Sequence, residues 1–219
     1  MASQTKEDYL KALYSLSLDG KGVKTTDLAK EMGVSTPTIS DMVKKLDAKG
    51  WLQYERYKPL RLTDQGSLYA SQIIRRHRLS EMFLTEVMGF GWEEVHDIAE
   101  EIEHLSSVKF FNRMDELLGF PHEDPHGSPI PDENGLIQKR DYRLLSELGA
   151  GARVRVKAIK DSSQEFLSYL TSKGISLQTE LTVNQIEGFD QSFSVDFNEY
   201  SNHMLSQKVC ERLLVEVLS

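Results

Sequence analysis

Cysteine is all but missing from this chain: Cys210 is the only one in 219 residues. An intrachain disulfide is thereby excluded, and such usage fits a reducing cytoplasm. No apolar run is long enough to span a bilayer, and the first residues lack the basic, apolar, small-residue order of a secretory leader. Neither membrane insertion nor export is expected. Positive charge is also in short supply, with 26 Lys and Arg against 34 Asp and Glu and a net charge of −8. A uniform deficit would argue against nucleic acid as a partner. It is not uniform: residues 1–62 hold 11 basic against 8 acidic side chains, leaving 15 against 26 for the remainder. A mildly basic head precedes an acidic body, and local charge governs attraction to phosphate.

The scarcity is complete in residues 93–104, which contain six acids and two histidines with no Lys or Arg. On a helix, Val95, Ile98, Ala99, Ile102 and Leu105 form one apolar stripe at about 100° per residue. His96, Glu100, Glu103 and His104 form another, and Glu100, Glu103 and His104 converge at i, i+3 and i+4. Two imidazoles and two carboxylates suit a divalent transition metal, although acid runs also serve as solvated faces. Ligands from elsewhere in the chain decide between these readings.

The chain has room for two or three small domains. Residues 5–16 read as a helix, with Leu10, Leu13 and Tyr14 on one side, Thr5 as its cap and Asp8 in the place of a capping-box acid. After the break at Gly20-Lys21-Gly22, residues 25–32 make a short helix stopped by Gly33. A second begins with Ser35 as cap and Pro37 in its first turn, and continues through Ile39, Val43 and Leu46 to Gly50. Residues 51–62 alternate and turn near Lys58-Pro59, as a β-hairpin wing would. Together these segments make a winged helix-turn-helix. Ser35, Thr36, Pro37, Thr38 and Ser40 head its recognition helix, Lys44 and Lys45 follow, and Arg56, Lys58 and Arg61 lie in the wing. Hydroxyls reach phosphates and base edges, while Lys and Arg anchor on the phosphate backbone. Double-stranded DNA is the expected partner, although the same shape occurs in protein-interaction modules.

Thr63-Asp64 opens a long helix reaching about Met88, whose apolar second half suggests a dimer interface. His77 and Glu81, four apart, share a face of it. A helix over residues 107–118 follows, then the Pro-rich loop of residues 120–131, whose histidines read as exposed, and a linker over residues 132–151. From Ala152 onward, strands around residues 154–159, 181–183, 192–197 and 213–217 and a helix over residues 163–172 point to a small β-barrel. The expected divisions are a winged helix-turn-helix domain (1–62), a helical metal-binding and dimerisation domain (63–131), the linker, and a β domain (152–219).

These segments jointly resemble the metal-dependent transcriptional repressors of the diphtheria toxin repressor and manganese transport regulator family. The resemblance rests on Glu7-Asp8-Tyr9-Leu10, Ser35-Thr36-Pro37-Thr38-Ile39-Ser40, Arg76-His77-Arg78-Leu79-Ser80-Glu81, Val95-His96-Asp97, Glu100-Glu101-Ile102-Glu103-His104 and Asp124-Pro125-His126-Gly127-Ser128-Pro129-Ile130-Pro131. It spans nearly the whole chain and implies a mainly α protein whose C-terminal part is the SH3-like β-barrel of the longer members. It implies a principal metal site of Asp8, Glu100, Glu103 and His104, which gives Asp8 a second role beside capping. It implies an ancillary site of His77, Glu81 and His96, completed from the SH3-like domain by Asp161, with Glu165 as runner-up. Iron-type members carry softer Met and Cys at the positions of Asp8 and Glu100. Hard carboxylates there favour Mn²⁺ over the alternative, Fe²⁺. Lys11 stands where short manganese-type members place a carboxylate that bridges two metals, so two separated sites are expected. The implied function is a metal-activated, homodimeric repressor of metal-uptake genes acting on operator DNA, with no small-molecule substrate. A metalloenzyme is disfavoured because no His-Glu-x-x-His motif and no second base accompany the cluster. A winged-helix regulator whose acidic face binds a protein is the other competing reading.

Overall fold

The computed structural model describes residues 4–18, 20–138 and 140–218, and the chain divides into two units. The first gathers the described residues through Ser80 with Ala99–Phe120 and Ile130–Ile137. Its elements are α1 (Gln4–Leu16), α2 (Thr25–Glu31), α3 (Thr36–Asp47), β1 (Leu52–Gln53), β2 (Arg61–Leu62) and the start of α4 (Asp64–Glu86). The C-terminal half of α5 (Val95–Ile102) and all of α6 (Val108–Leu117) complete it.

Leu10 and Leu13 of α1, Leu28 of α2, Ile39, Val43 and Leu46 of α3, and Leu52 and Leu60 beside the wing form one buried core. Each such side chain removed from water contributes about 1.5–3 kcal/mol, which lets helices as short as the seven-residue α2 persist. The wing is an antiparallel pair with Leu52 opposite Leu62 and Gln53 opposite Arg61. Thr63 ties it to α4: its hydroxyl donates to Gly50 O at 2.7 Å and accepts from Gly66 N–H at 3.0 Å, capping the helix. Gly66 is required there, because a Cβ would lie 1.9 Å from Trp51 O.

Two sequence expectations about caps change. Ser35 occupies the N-cap position of α3 but makes no side-chain bond to the backbone, its hydroxyl instead pairing with Thr38 Oγ1 at 2.9 Å. Thr5 lies inside α1 rather than ahead of it. The apolar second half of α4 is also spent within the chain, since Ile73, Ile74, Leu79 and Leu84 are buried. The exposed apolar side chains near α6 include Leu105, Val108, Phe110, Leu117 and Phe120.

The second unit gathers Glu81–Ile98, Pro121–Pro129 and the described residues from Gln138 on. It holds β3 (Arg143–Leu144), a 3-10 turn (Leu145–Glu147), β4 (Arg153–Ile159), α7 (Gln164–Ser172), β5 (Glu180–Ile186), β6 (Phe193–Phe197), β7 (Tyr200–Leu205), α8 (Gln207–Cys210) and β8 (Leu213–Val217). The strands form one antiparallel sheet in the order β3-β8-β4-β5-β6-β7. Register shifts at Val156/Ala158, Val183/Gln185 and Val195/Phe197 bend it. Val154, Val156, Leu181, Val183, Val195 and Val215 line the inner face, closed by Leu167 and Leu170 of α7. β3 and the 3-10 turn fall in the stretch read as linker, and Leu145 is fully buried in this core. β7 was not expected either: its side chains are mostly polar and exposed, so no period-2 pattern marks it. Among the described residues, no helix is long and apolar enough to cross a membrane.

Candidate metal centre

In the first unit, Asp8 of α1 meets the turn that follows α5. The acidic helix is shorter than its periodicity suggests and stops at Ile102, leaving Glu103 and His104 in the next turn. Glu103 N–H still donates to Ala99 O at 2.9 Å, and Arg76 Nη1 binds the carbonyls of Glu103 and Leu105 at 2.8 and 3.3 Å. The turn is thus fixed from α4 and the single stripe anticipated for these residues is broken up. One donor atom each from Asp8, Glu103 and His104 lies within 4.8 Å of the others. His104 Nε2 is 3.2 Å from Asp8 Oδ1 and 3.8 Å from Glu103 Oε1.

Glu7, not picked out as a site residue from the sequence, orients His104. Its Oε2 lies 2.7 Å from His104 Nδ1, and its Oε1 accepts from Tyr69 O–H at 2.5 Å. An ionised carboxylate only accepts, so Nδ1 carries the proton and Nε2 turns its lone pair toward Asp8 and Glu103. This is the carboxylate–histidine arrangement of metal ligands. Burial, reinforced by the bond to Glu7, pushes the Tyr69 phenol up to about 12.

Glu103 is fully buried. Its Oε2 lies 2.6 Å from His77 Nδ1, and Lys11 Nζ stands 2.8 and 3.0 Å from its two oxygens and 3.3 Å from Glu100 Oε1. Burial alone would raise the Glu103 pKa, but the His77 bond and the Lys11 charge outweigh it and hold the carboxyl below its ordinary value. Burial likewise opposes charge on Lys11, and Glu103 and Glu100 reverse that, raising the ammonium pKa. Asp8 is raised, chiefly by burial, with His104 and Lys11 acting against it. Glu100 is exposed at the edge of the group. His77 thus bonds the principal group, while on α4 it also precedes Glu81 by four residues and shares a face with it.

The second unit holds another group, Glu81, Asp124 and His126, all buried, with one donor atom each within 4.8 Å. His96 Nδ1 lies 3.3 Å from Glu81 Oε1, and His126 Nδ1 lies 3.7 Å from Glu81 Oε2. His126 Nε2–H donates to Trp92 O at 2.8 Å, so Nδ1 presents its lone pair to Glu81. A lone pair facing a buried carboxylate calls for a proton or a metal ion between them. Burial works to lower the His126 pKa, but Glu81 outweighs it and the pKa is raised. Asp124 Oδ1 accepts from His126 N–H and Ser128 N–H at 2.8 and 2.9 Å, shaping the loop. Gly127, with φ of +80°, passes so close to β4 that a Cβ would lie 2.1 Å from Lys157 O, and Ile159 N–H donates to His126 O at 2.9 Å.

The loop histidines therefore differ: His122 is exposed and His126 is 2% exposed. No periodicity marks a loop side chain as buried, so the sequence reading left His126 and Asp124 out. Asp161 is placed differently from the expectation. Arg212 Nε binds its Oδ2 at 2.9 Å and Ser163 N–H its Oδ1 at 3.0 Å. Burial would raise its pKa, but these bonds outweigh it and lower it. Glu165 is exposed in the first turn of α7. Asp124 and His126, rather than Asp161 or Glu165, gather at Glu81.

The expected DNA-contacting side chains lie on an accessible face. Ser35, Thr36, Pro37, Thr38, Lys44 and Lys45 are exposed along α3, as are Arg56, Lys58 and Arg61 in the wing. Ser40 is half-buried and donates to Thr36 O at 3.1 Å. Lys58 pairs with Glu55 at 2.5 Å, and the Arg56 guanidinium lies 5.0 Å from the Tyr57 ring centre.

Known families match three successive segments of the chain. Residues 1–60 match the iron dependent repressor, N-terminal DNA binding domain, and residues 63–132 the iron dependent repressor, metal binding and dimerisation domain. Residues 143–217 match the FeoA domain. The diphtheria toxin repressor of Corynebacterium efficiens is 31% identical over 195 residues, covering 84% of each chain. This chain belongs to the diphtheria toxin repressor family of metal-dependent transcriptional repressors. The iron-dependent repressor IdeR of Mycobacterium tuberculosis (strain ATCC 25618 / H37Rv) is 31% identical over 199 residues, 84% of this chain and 85% of IdeR. Among solved structures, a manganese-dependent transcriptional repressor complex with manganese superposes with a TM-score of 0.87 at 35% identity, covering 97% of this chain and 99% of the other. ScaR with bound Zn²⁺ gives 0.80 at 31%, with 97% and 99% covered. As a family member the chain is a metal-dependent transcriptional repressor, with a winged helix-turn-helix, a helical dimerisation domain and a C-terminal SH3-like sheet.

Proposed function

We propose that this repressor responds to Mn²⁺ through two separated sites and acts as a cytoplasmic homodimer on operator DNA of metal-uptake genes. The observation that carries the reading is the donor set of Asp8, Glu103 and His104: two carboxylates and one oriented imidazole, with no sulfur ligand. Oxygen-rich sets suit Mn²⁺, whereas softer ligands would favour later metals. Glu100 completes the set from the rim, and Glu81, His96, Asp124 and His126 serve the second site.

When bound, the divalent ion supplies the positive charge that lets these carboxylates share one point. The chain's own residues do the rest. Asp8, Glu100 and Glu103 repel one another, and that repulsion loosens α1 wherever it is not compensated. Asp8 links α1 to the turn after α5, so compensation fixes α1, and with it the DNA-reading head, against that turn. A dimer reads half-sites about 34–36 Å apart or a multiple of that, so a small change in the angle of each head changes affinity strongly. The exposed Leu105, Val108, Phe110 and Leu117 offer an apolar face for the second copy. Residues 152–219 form the SH3-like part. Because the carboxylates and imidazoles must be deprotonated to bind a cation, activation fades with acid.

The test is metal analysis of protein dialysed against Mn²⁺, Fe²⁺ and Zn²⁺ in turn, followed by DNA binding of each form. Two equivalents of Mn²⁺ per chain with tight DNA binding support the reading. Retention of Fe²⁺ in preference to Mn²⁺ under anaerobic conditions, or no retained metal, would reject it.

A further inference from the structure

Lys11 follows Asp8 by three residues on α1, so both side chains project from one face of the helix. Its ammonium has three N–H donors and lies within 3.3 Å of three carboxylate oxygens, two on Glu103 and one on Glu100. The side chain is largely covered, and Glu103 is wholly so. Those are the oxygens that the metal reading assigns to the principal site. Lys11 takes a lone pair on each Glu103 oxygen, at 2.8 and 3.0 Å, and His77 takes another on Oε2, so a divalent ion finds one site left on Oε1, close beside the ammonium. The two cations would repel across a few ångströms in a site with little water to screen them.

We propose that Lys11 is a resident competing cation of the principal site and a determinant of its metal specificity. An entering ion must displace the ammonium from Glu103, and only an ion whose other bonds repay that loss succeeds. Mg²⁺ and Ca²⁺ are oxygen-seeking ions that a bare cluster of three carboxylates would attract. They gain little from the His104 nitrogen, whereas transition ions gain both oxygen and nitrogen ligands. Lys11 thus sets a threshold above the reach of Mg²⁺ and within the reach of Mn²⁺. The proposal rests on Asp8, Glu103 and His104 forming a metal site, and goes beyond it in assigning the neighbouring cation a part in selection.

The test compares the full-length wild type with Lys11→Gln and Lys11→Arg by calorimetric titration with Mn²⁺ and with Mg²⁺. Lys11→Gln is expected to bind Mn²⁺ about tenfold or more tightly than wild type, because the ion no longer competes with a resident charge. It should also acquire saturable Mg²⁺ binding, while Lys11→Arg stays close to wild type. Equal or weaker Mn²⁺ binding by a folded Lys11→Gln chain overturns the proposal. Wild type that binds no Mn²⁺ at all overturns the metal reading itself, which is a separate result. Should Lys11→Gln fail to fold, nuclear magnetic resonance of wild type titrated with diamagnetic Zn²⁺ decides. The Lys11 ε-methylene signal should move to its solvent-exposed position at saturation, and an unmoved signal refutes displacement.

Discussion

Glu7 offers the sharpest check on how the principal site is oriented. It is buried and has two jobs, accepting from Tyr69 O–H at 2.5 Å and holding His104 Nδ1 at 2.7 Å. Glu7→Gln keeps the shape and removes the charge. The amide oxygen can still accept from His104 Nδ1–H, and the amide N–H₂ can donate to the Tyr69 oxygen, so the fold should survive. What is lost is an ionised acceptor, and a neutral one makes a bond roughly half as strong. Partners of this kind behind a metal-bound histidine are worth about 10–100-fold in affinity, or about 1.4–2.7 kcal/mol. Glu7→Gln should therefore weaken Mn²⁺ binding at one of two sites by that factor in a calorimetric titration, leaving the other unchanged. Glu7→Ala should cost more, since it strands two buried polar groups at about 1–3 kcal/mol each. Tyr69→Phe, which leaves the His104 contact in place, should stay closer to wild type than Glu7→Gln does. A Glu7→Gln protein that binds both equivalents as wild type does would refute the assigned orientation of His104.

Three further outcomes follow from the structure. His126→Ala should remove one equivalent of bound Mn²⁺ and spare the other, as read by metal analysis after dialysis; loss of both would mean that the two groups are one site. Gly127→Ala places a side chain at φ +80° with its Cβ 2.1 Å from Lys157 O. It should cost about 2 kcal/mol or more in denaturant unfolding and weaken the same equivalent. Cys210, fully covered in the sheet core, has its thiol pushed up to about 12 by burial. A raised thiol pKa means that the folded state favours the neutral form. That contribution is intact below the ordinary value of 9.0 and is lost as pH rises from there toward 12. Thiol-reagent labelling at pH 8 should accordingly be slow in native protein and fast in denaturant.

Helical periodicity made the winged head legible: Leu10, Leu13, Ile39, Val43 and Leu46 all fall in one core. The residues gathered at the candidate metal centre were only partly visible. Asp8, Glu103 and His104 meet because α1 and the turn after α5 come together across nearly a hundred positions, and a local pattern carries no information about that. The resemblance to a family supplied it. Lys11 was read for its sign alone; its grip on Glu103 needed coordinates. Asp124 and His126 read as exposed loop residues because their burial depends on Gly127 lying close against β4, which no local period records. Asp161 looked well placed in sequence, but Arg212, 51 residues on, is its nearest charged partner at 2.9 Å. The edge strand β7 carries no alternating pattern, because most of its side chains are exposed and Leu205 alone is fully buried.

The account turns on whether gathering Asp8, Glu103 and His104 licenses DNA binding. Duplexes selected from a random pool with Mn²⁺-loaded wild type provide the probe, and band shifts are then measured for wild type and Asp8→Ala across a Mn²⁺ titration and in chelator. Wild type should bind tightly only with Mn²⁺, while Asp8→Ala, folded by circular dichroism, should stay weak at every concentration. Wild type that holds the same duplexes equally well in chelator, or Asp8→Ala that responds as wild type does, would contradict it.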